Sequence, residues 1–271
     1  SGAPASAGPP WSGAPASPDP NRPVPSAAVT IHVEDGGPAV VLLTIDRPDR
    51  RNAIDAEHVE ALRDAVLGAP DGTRALVLRG ADGHFCAGAD LKGIEGPEFA
   101  ALLRTLLHAL RDAPFPCLAA VDGAALGAGT QLAVSCDLRT ATPDAIFGIP
   151  AAKLGLVVDP WTVQRLVAFA GQGPARAMLL AAETVGGTEA HGLGLVQRLG
   201  PPDDAVAWAV EIAAKAPLTI SGHKVMLNAL DAALPTDPAV AAAFDRAWSS
   251  ADLDEGRAAF AERRPPQFRG E

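Results

Sequence analysis

Two short segments rich in glycine and alanine constrain this chain more than any other feature. The first is Phe85-Cys86-Ala87-Gly88-Ala89-Asp90. The second is Asp122-Gly123-Ala124-Ala125-Leu126-Gly127-Ala128-Gly129-Thr130-Gln131, which runs into Ser135-Cys136-Asp137. Residues without bulk let the backbone turn tightly and bring its N–H groups close to a ligand. A pair of such segments suggests two backbone donors aimed at one developing negative charge, an oxyanion hole. The glycines follow neither the G-x-G-x-x-G nor the Walker spacing, so a dinucleotide or ATP cradle is not indicated. Ser135 beside Cys136 lacks the G-x-S-x-G setting of a nucleophile elbow. His84 has no carboxylate partner identifiable from the sequence and reads as a loop histidine.

With 271 residues, 48% of them hydrophobic, the chain can bury a substantial core. A formal net charge of −10 argues against nucleic acid or an anionic membrane as the main partner. A polyphosphate ligand would be met by a few local arginines or lysines. No apolar run reaches the roughly 18 residues that suggest a membrane span, and no signal-peptide pattern is visible. Cys86, Cys117 and Cys136 are odd in number and lack CxxC spacing, which speaks against a disulfide frame or zinc. Buried, reduced thiols in a cytoplasmic protein are the expectation.

Residues 1–25 carry SGAPAS at both 1–6 and 12–17 and are dense in proline. They are expected to form a disordered tail, with Trp11 solvated in it. The apolar runs Val29–Val33 and Ala39–Ile45 flank Glu34-Asp35-Gly36-Gly37-Pro38, a hairpin signal. After a loop at 47–52, Asp55 is placed to N-cap a helix that turns Val59, Leu62, Val66 and Leu67 inward. Ala75–Leu78, Pro116–Val121 and Leu138–Thr142 read as strands, with helices near Phe99–Leu110 and Leu126–Val134. From Pro160 onward the pattern is almost entirely helical. Strands alternating with helices, then helices alone, predict an α/β core with a helical C-terminal part.

The motifs taken in order resemble the crotonase superfamily, the enoyl-CoA hydratase/isomerase family. They include Ile45-Asp46-Arg47-Pro48 with Asn52-Ala53, both Gly/Ala segments, Phe147-Gly148-Ile149-Pro150 and Lys153-Leu154-Gly155-Leu156. Arg176-Ala177-Met178-Leu179-Leu180, Ala190-His191-Gly192-Leu193-Gly194 and Ala259-Phe260 continue the series. The resemblance implies an α/β crotonase (ClpP-like) spiral of ββα turns over residues 26–210. It implies a helical oligomerisation region over 211–271, and assembly as a homotrimer or hexamer. The implied ligand is a coenzyme A thioester, with no other cofactor and no metal. The amides of Ala89 and Ala128 match the oxyanion donors. The loop holding Arg50, Arg51 and Ala53, and the segment Ala87 to Lys92 that includes Asp90, match the walls around the pantetheine and nucleotide. Arg50 or Arg51 is placed to meet the phosphates. Phe260 and Arg263 match positions that reach CoA from an adjacent subunit, although a solvated helix end accounts for Arg263 equally well.

The departures from the family pattern concern the acids. A hydratase of this family holds water between two glutamates, one accepting and one delivering a proton. Their positions are taken here by Gln131 and Ala151. A carboxamide can hydrogen-bond a water but cannot take its proton at neutral pH, and an alanine can do neither. Asp159, in Val157-Val158-Asp159-Pro160-Trp161, stands where some members carry a working aspartate. It is also placed to N-cap a helix that begins with proline, and the two roles are compatible. The combination Gln131, Ala151, Asp159 and Trp161 is similar to mycobacterial members that bind fatty acyl-CoA without turning it over. The expectation is an acyl-CoA-binding protein of fatty acid metabolism with little or no hydratase activity. The alternative is an enoyl-CoA isomerase, or a weak hydratase, that uses Asp159 alone.

Overall fold

The computed structural model describes residues 31–90, 96–231, 242, 245–246 and 248–269. The tail expected at 1–25, the start of the first apolar run at Val29, and Lys92 lie outside the described residues. The architecture follows from strands that are apolar on both faces. β1 is Ile31–Asp35, β2 Val40–Ile45, β3 Ala75–Gly80 and β4 Cys117–Val121. The short strands are β5 Ala124–Leu126, β6 Leu138–Ala141, β7 Ile146–Gly148, β8 Thr184–Gly186 and β9 Arg198–Leu199. β2 reads Val-Val-Leu-Leu-Thr-Ile and is buried along its whole length, as is β4. Such strands belong in a parallel sheet covered on both sides. They form one, in the order β1-β2-β3-β4-β6-β9, with β1 antiparallel to β2 and the other pairs parallel.

The period of two divides each strand between two layers. Val41, Leu43, Leu76, Leu78, Ala119 and Val121 face the main core. There they meet α1 (Ala56–Leu67), α2 (Gly96–Asp112) and α3 (Ala128–Ser135). Val40, Leu42, Val77, Leu118 and Ala120 face a second cluster, closed by Ala205, Ala209 and Ile212. These belong to α7 (Pro202–Ala213), so the boundary expected at 210 falls inside a continuous helix. A smaller sheet, β5-β7-β8, lies beyond the main one. Two single bridges, Cys86 to Ala125 and Ala89 to Ile54, tie the first Gly/Ala segment to it and to the 47–54 loop.

The expected hairpin forms, and Asp55 caps α1 by accepting from the His58 N–H at 3.1 Å. Leu67, expected inward, is 69% exposed because α1 ends there at Gly68. β8 and β9 interrupt the stretch expected to be helical, and β5 and β7 occupy stretches without a strand signal. Strands of two or three residues carry no alternation for a sequence to display. Between them lie α4 (Pro160–Ala170), α5 (Gln172–Leu180) and α6 (Gly187–Leu193).

Further along, the described residues include α8 (Pro217–Asp231) and α9 (Ala251–Glu262). Lys224 anchors α8. Its buried Nζ donates to the carbonyls of Leu110 and Phe115 at 3.1 and 2.8 Å and pairs with Asp137 at 2.8 Å. The outer side of α8 exposes Leu218, Val225, Met226, Leu227 and Leu230. α9 docks by close approach. A Cβ on Gly256 would strike the Leu154 backbone, so only glycine lets this helix settle there.

Candidate functional site

The first Gly/Ala segment is held like a strand between two neighbours. On one side Ile54 donates to the Gly88 carbonyl at 2.9 Å and accepts from the Asp90 N–H at 2.7 Å. On the other, Cys86 donates to Ala124 at 2.8 Å and accepts from Leu126 at 3.0 Å. Bonds at residues 88 and 90 on the Ile54 side turn the intervening Ala89 N–H away from Ile54. Ala128 is the first residue of α3, where a helix leaves its N–H groups unmet. Among the described residues neither the Ala89 nor the Ala128 N–H has a hydrogen-bond partner. The two turns touch. A Cβ on Gly88, at φ 118°, would lie 3.0 Å from the Leu126 carbonyl and 4.0 Å from the Ala128 nitrogen. A Cβ on Gly129 would collide with the Cys86 carbonyl, so α3 reaches its position only with glycine there.

Both amides border a cavity of about 400 Å³. Its walls are mainly apolar: Phe99 and Leu103 from α2, Leu126 from β5, Ile149, Leu156 and Val158 from the loops, and Trp248 and Phe260 from the C-terminal part. Of the residues singled out in the sequence, Arg50, Ala53, Ala87, Ala89, Asp90, Ala128, Gln131, Ala151, Asp159 and Phe260 line it. Phe260 lines the pocket of its own chain, where the sequence pattern has it reaching an adjacent subunit's ligand. Three others stand elsewhere. Arg51 is exposed, at φ 51°, and serves through its carbonyl, which accepts from Ala87 at 3.0 Å. Arg263 is an exposed residue in the left-handed region that ends α9. Trp161 is buried against α2, where its ring meets His108 edge-on at 5.3 Å. The guanidinium groups of Arg111 and Arg165 sit 5.7 and 5.5 Å from the Trp161 ring.

Gln131 and Asp159 meet across the pocket floor. The Gln131 Nε2 donates to Asp159 Oδ2 and to Thr162 Oγ1, each at 3.1 Å. The Thr162 hydroxyl donates to the same Oδ2 at 2.5 Å, and the Thr162 N–H donates to Oδ1 at 3.0 Å. All three residues are buried. Asp159 therefore caps α4, with Pro160 in the first position that tolerates proline. A carboxylate has about four acceptor sites, and three donors occupy three of those of Asp159, two on Oδ2 and one on Oδ1. Beside them Ala151 presents only a methyl group. Thr162 closes this triangle and was not singled out. Its only signal was its place three residues after a candidate cap.

The far end of α3 is equally organised. Arg139 is fully buried, and its Nη1 donates to the carbonyls of Ala133 and Cys136 at 3.1 and 2.8 Å. Arg165 donates from Nε to Val134 at 3.0 Å. Burial, with Arg165 adding to it, pushes the Arg139 guanidinium down to about 10, so it remains a cation at neutral pH. Cations at the C-terminal end complement a helix whose N-terminal end faces the pocket. The cysteines are not nucleophiles. Burial drives the Cys86 and Cys136 thiols up to about 12 and raises Cys117 well above its ordinary value. Among the described residues no group of three or more His, Cys, Asp or Glu is placed to hold a metal, and no helix is long and apolar enough to cross a membrane.

Comparison with known proteins gives the family and the fold. Residues 35–271 match the family model described as enoyl-CoA hydratase/isomerase. Over 234 residues the chain is 44% identical to "Probable enoyl-CoA hydratase echA6" of Mycobacterium tuberculosis, covering 86% of this chain and 96% of that protein. It is 30% identical over 259 residues to the mitochondrial methylglutaconyl-CoA hydratase of Mus musculus, covering 89% of this chain and 82% of that one. Among solved structures, an enoyl-CoA hydratase from Mycobacterium avium subsp. paratuberculosis superposes with a TM-score of 0.77 at 28% identity, covering 90% of this chain and all of that one. Methylmalonyl-CoA decarboxylase superposes with a TM-score of 0.81 at 22% identity, covering 89% and 98%, a likeness of fold.

Proposed function

This chain belongs to the enoyl-CoA hydratase/isomerase family, and from that membership we propose that it binds acyl-CoA thioesters and releases them unchanged, in fatty acid metabolism. The Ala89 and Ala128 amides hold the thioester oxygen. Arg50, Ala53, Ala87 and Asp90 border the arm of the ligand, and the apolar wall takes the acyl chain. The observation that carries this reading is the closed triangle of Gln131, Asp159 and Thr162 beside the Ala151 methyl. Hydration needs one group to take a proton from water and another to deliver one. Gln131 has no basic site, Ala151 has no polar atom, and Asp159 is committed to three donors.

The isomerase reading has one observation in its favour: Asp159 lines the pocket. A proton shuttle needs an acceptor free to face the substrate, and the hydrogen bonds of the α4 cap weigh against that. The exposed apolar side of α8 supports assembly as a homotrimer or a pair of trimers, and three buried free thiols support a reducing, cytoplasmic setting.

Calorimetric titration with octanoyl-CoA tests the binding claim, with Ala128→Pro as the probe. Proline is accepted at the first position of a helix and removes the N–H. Saturable binding by the native protein is expected, weakened about fivefold or more in the variant, because the ring removes one neutral hydrogen bond and sets its Cδ where the proton pointed. Binding of free CoA and octanoyl-CoA with equal affinity would contradict the reading.

A further inference from the structure

We propose that Arg47 is a positioning residue that fixes the aim of the Ala89 N–H, an inference that rests on reading that amide as a donor to the thioester oxygen. Arg47 does not line the cavity. Its guanidinium instead grips both pieces of backbone that form the cavity's edge. Nη1 donates to the Ala53 carbonyl at 3.0 Å and lies 3.3 Å from Asp55 Oδ2. Nη2 pairs with Asp90 Oδ2 at 3.0 Å. Ala53 and Asp90 both line the pocket, and Ala89 is the residue between Asp90 and the tight turn at Gly88.

The clamp has a geometric reason to exist. The first Gly/Ala segment touches the 47–54 loop through two backbone hydrogen bonds around Ile54 and one from Ala87 to Arg51. The Ala89 N–H shares one planar peptide with the Gly88 carbonyl, which accepts from Ile54. Its aim therefore lasts only while the segment and the loop stay in register, and glycine at φ 118° adds no stiffness of its own. The ion pair at residue 90 reinforces that register from the side chains. The Arg47 side chain is 20% exposed and that of Asp90 14%, so solvent weakens the pair less than it would on an open surface. The root of the clamp is itself held. The Arg47 N–H donates to Asn52 Oδ1 at 2.8 Å, and Asn52 Nδ2 donates to the carbonyls of Ala81 and His84. Arginine suits the site because its planar fork reaches the Ala53 carbonyl and the Asp90 carboxylate from two separate nitrogens held in fixed geometry, where an ammonium offers a single flexible centre.

The test compares octanoyl-CoA with octyl-CoA, the thioether of equal length that has no carbonyl. Binding of each is measured by titration to native protein, Arg47→Gln and Arg47→Lys, and the bound thioester C=O stretch is read by isotope-edited infrared spectroscopy. In Arg47→Gln the preference for thioester over thioether should fall about fivefold, the worth of one hydrogen bond, while thioether affinity stays near native. The C=O frequency should move back toward that of the free ligand, and Arg47→Lys should recover part of both effects. If Arg47→Gln does not fold, Arg47→Lys, which keeps the charge but not the fork, carries the preference and frequency readouts on its own. Native-like preference and frequency in these variants would overturn the clamp alone. Absence of any preference or frequency shift in the native protein would overturn the donor reading, and the clamp with it.

Discussion

The two walls of the pocket are built from different chemistry. The wall proposed to face a thioester oxygen is backbone: the Ala89 and Ala128 N–H groups, set by glycine turns and by the start of α3. The facing wall, where protons would move, is side chain: Gln131, Ala151 and Asp159. Substitution acts on them unequally. Any residue but proline keeps an N–H, so alanine at position 128 leaves the donor intact. An exchange of one side chain at position 131 or 151 removes a base or an acid outright. A fold of this kind can lose turnover while keeping its grip on the ligand's carbonyl.

The largest test is to rebuild the side-chain wall. The Gln131 amide nitrogen is 3.1 Å from Asp159 Oδ2, and two carboxylates that close cannot both ionise freely. Gln131→Glu with Ala151→Glu should therefore gain less than the triple change that adds Asp159→Asn. The triple variant should hydrate 2-enoyl-CoA about 10²–10⁴-fold faster than native protein, the usual worth of a placed acid or base. Loss of the enoyl thioester's ultraviolet absorbance reads the rate. Retained binding without any gain would mean that the two walls do not differ in the way described.

Stability tests come next. Gly129→Ala should cost about 2–4 kcal/mol, because the new methyl meets the Cys86 carbonyl rather than a yielding side chain. Ala151→Ser, on the facing wall, should stay within about 1 kcal/mol by the same urea titration. Similar losses at both positions would erase the contrast. Thr162→Val is intermediate: it removes the hydroxyl that links Asp159 and Gln131 and should cost about 1–2 kcal/mol. The smallest effect concerns Asp55. Burial works to raise its carboxyl, but hydrogen bonds from the His58 ring and N–H, with Arg47 nearby, leave it below its ordinary 3.8. A depressed carboxyl adds stability above its unfolded value, and that contribution is lost as pH falls through the folded value. Asp55→Asn should thus cost under about 1 kcal/mol at pH 7, since the burial of this half-buried group opposes its hydrogen bonds and solvent still screens it. The gap from native protein should close below about pH 4. A gap that widens in acid would reverse the sign.

The donor wall was legible in the sequence because its requirements are local. Glycines at 88, 127 and 129 announce turns, and Asp55 and Asp159 announce caps within three residues of what they bond. The triangle on the facing wall was not legible, because it joins Gln131 on α3 to Thr162 on α4, and only the packing of those helices brings them together. Trp161 follows Asp159 by two residues yet points toward His108, since a helix turns successive side chains to different sides. Arg139 gave no sign of being buried. Its partners are carbonyls, which every residue has and no motif records. The docking of α9 on Leu154 likewise depends on an unremarkable glycine, Gly256.

The central claim is that this pocket holds a thioester but moves no proton. Incubating the native protein with a 2-enoyl-CoA in deuterium oxide, then weighing the recovered thioester by mass spectrometry, tests it most directly. Recovery at unchanged mass and retention time, with titration showing the ligand bound, is the expected result. A product heavier by deuterium oxide would mean that hydration survives without the two glutamates. Deuterium incorporated without added water, and abolished by Asp159→Asn, would make Asp159 a working base and contradict the claim.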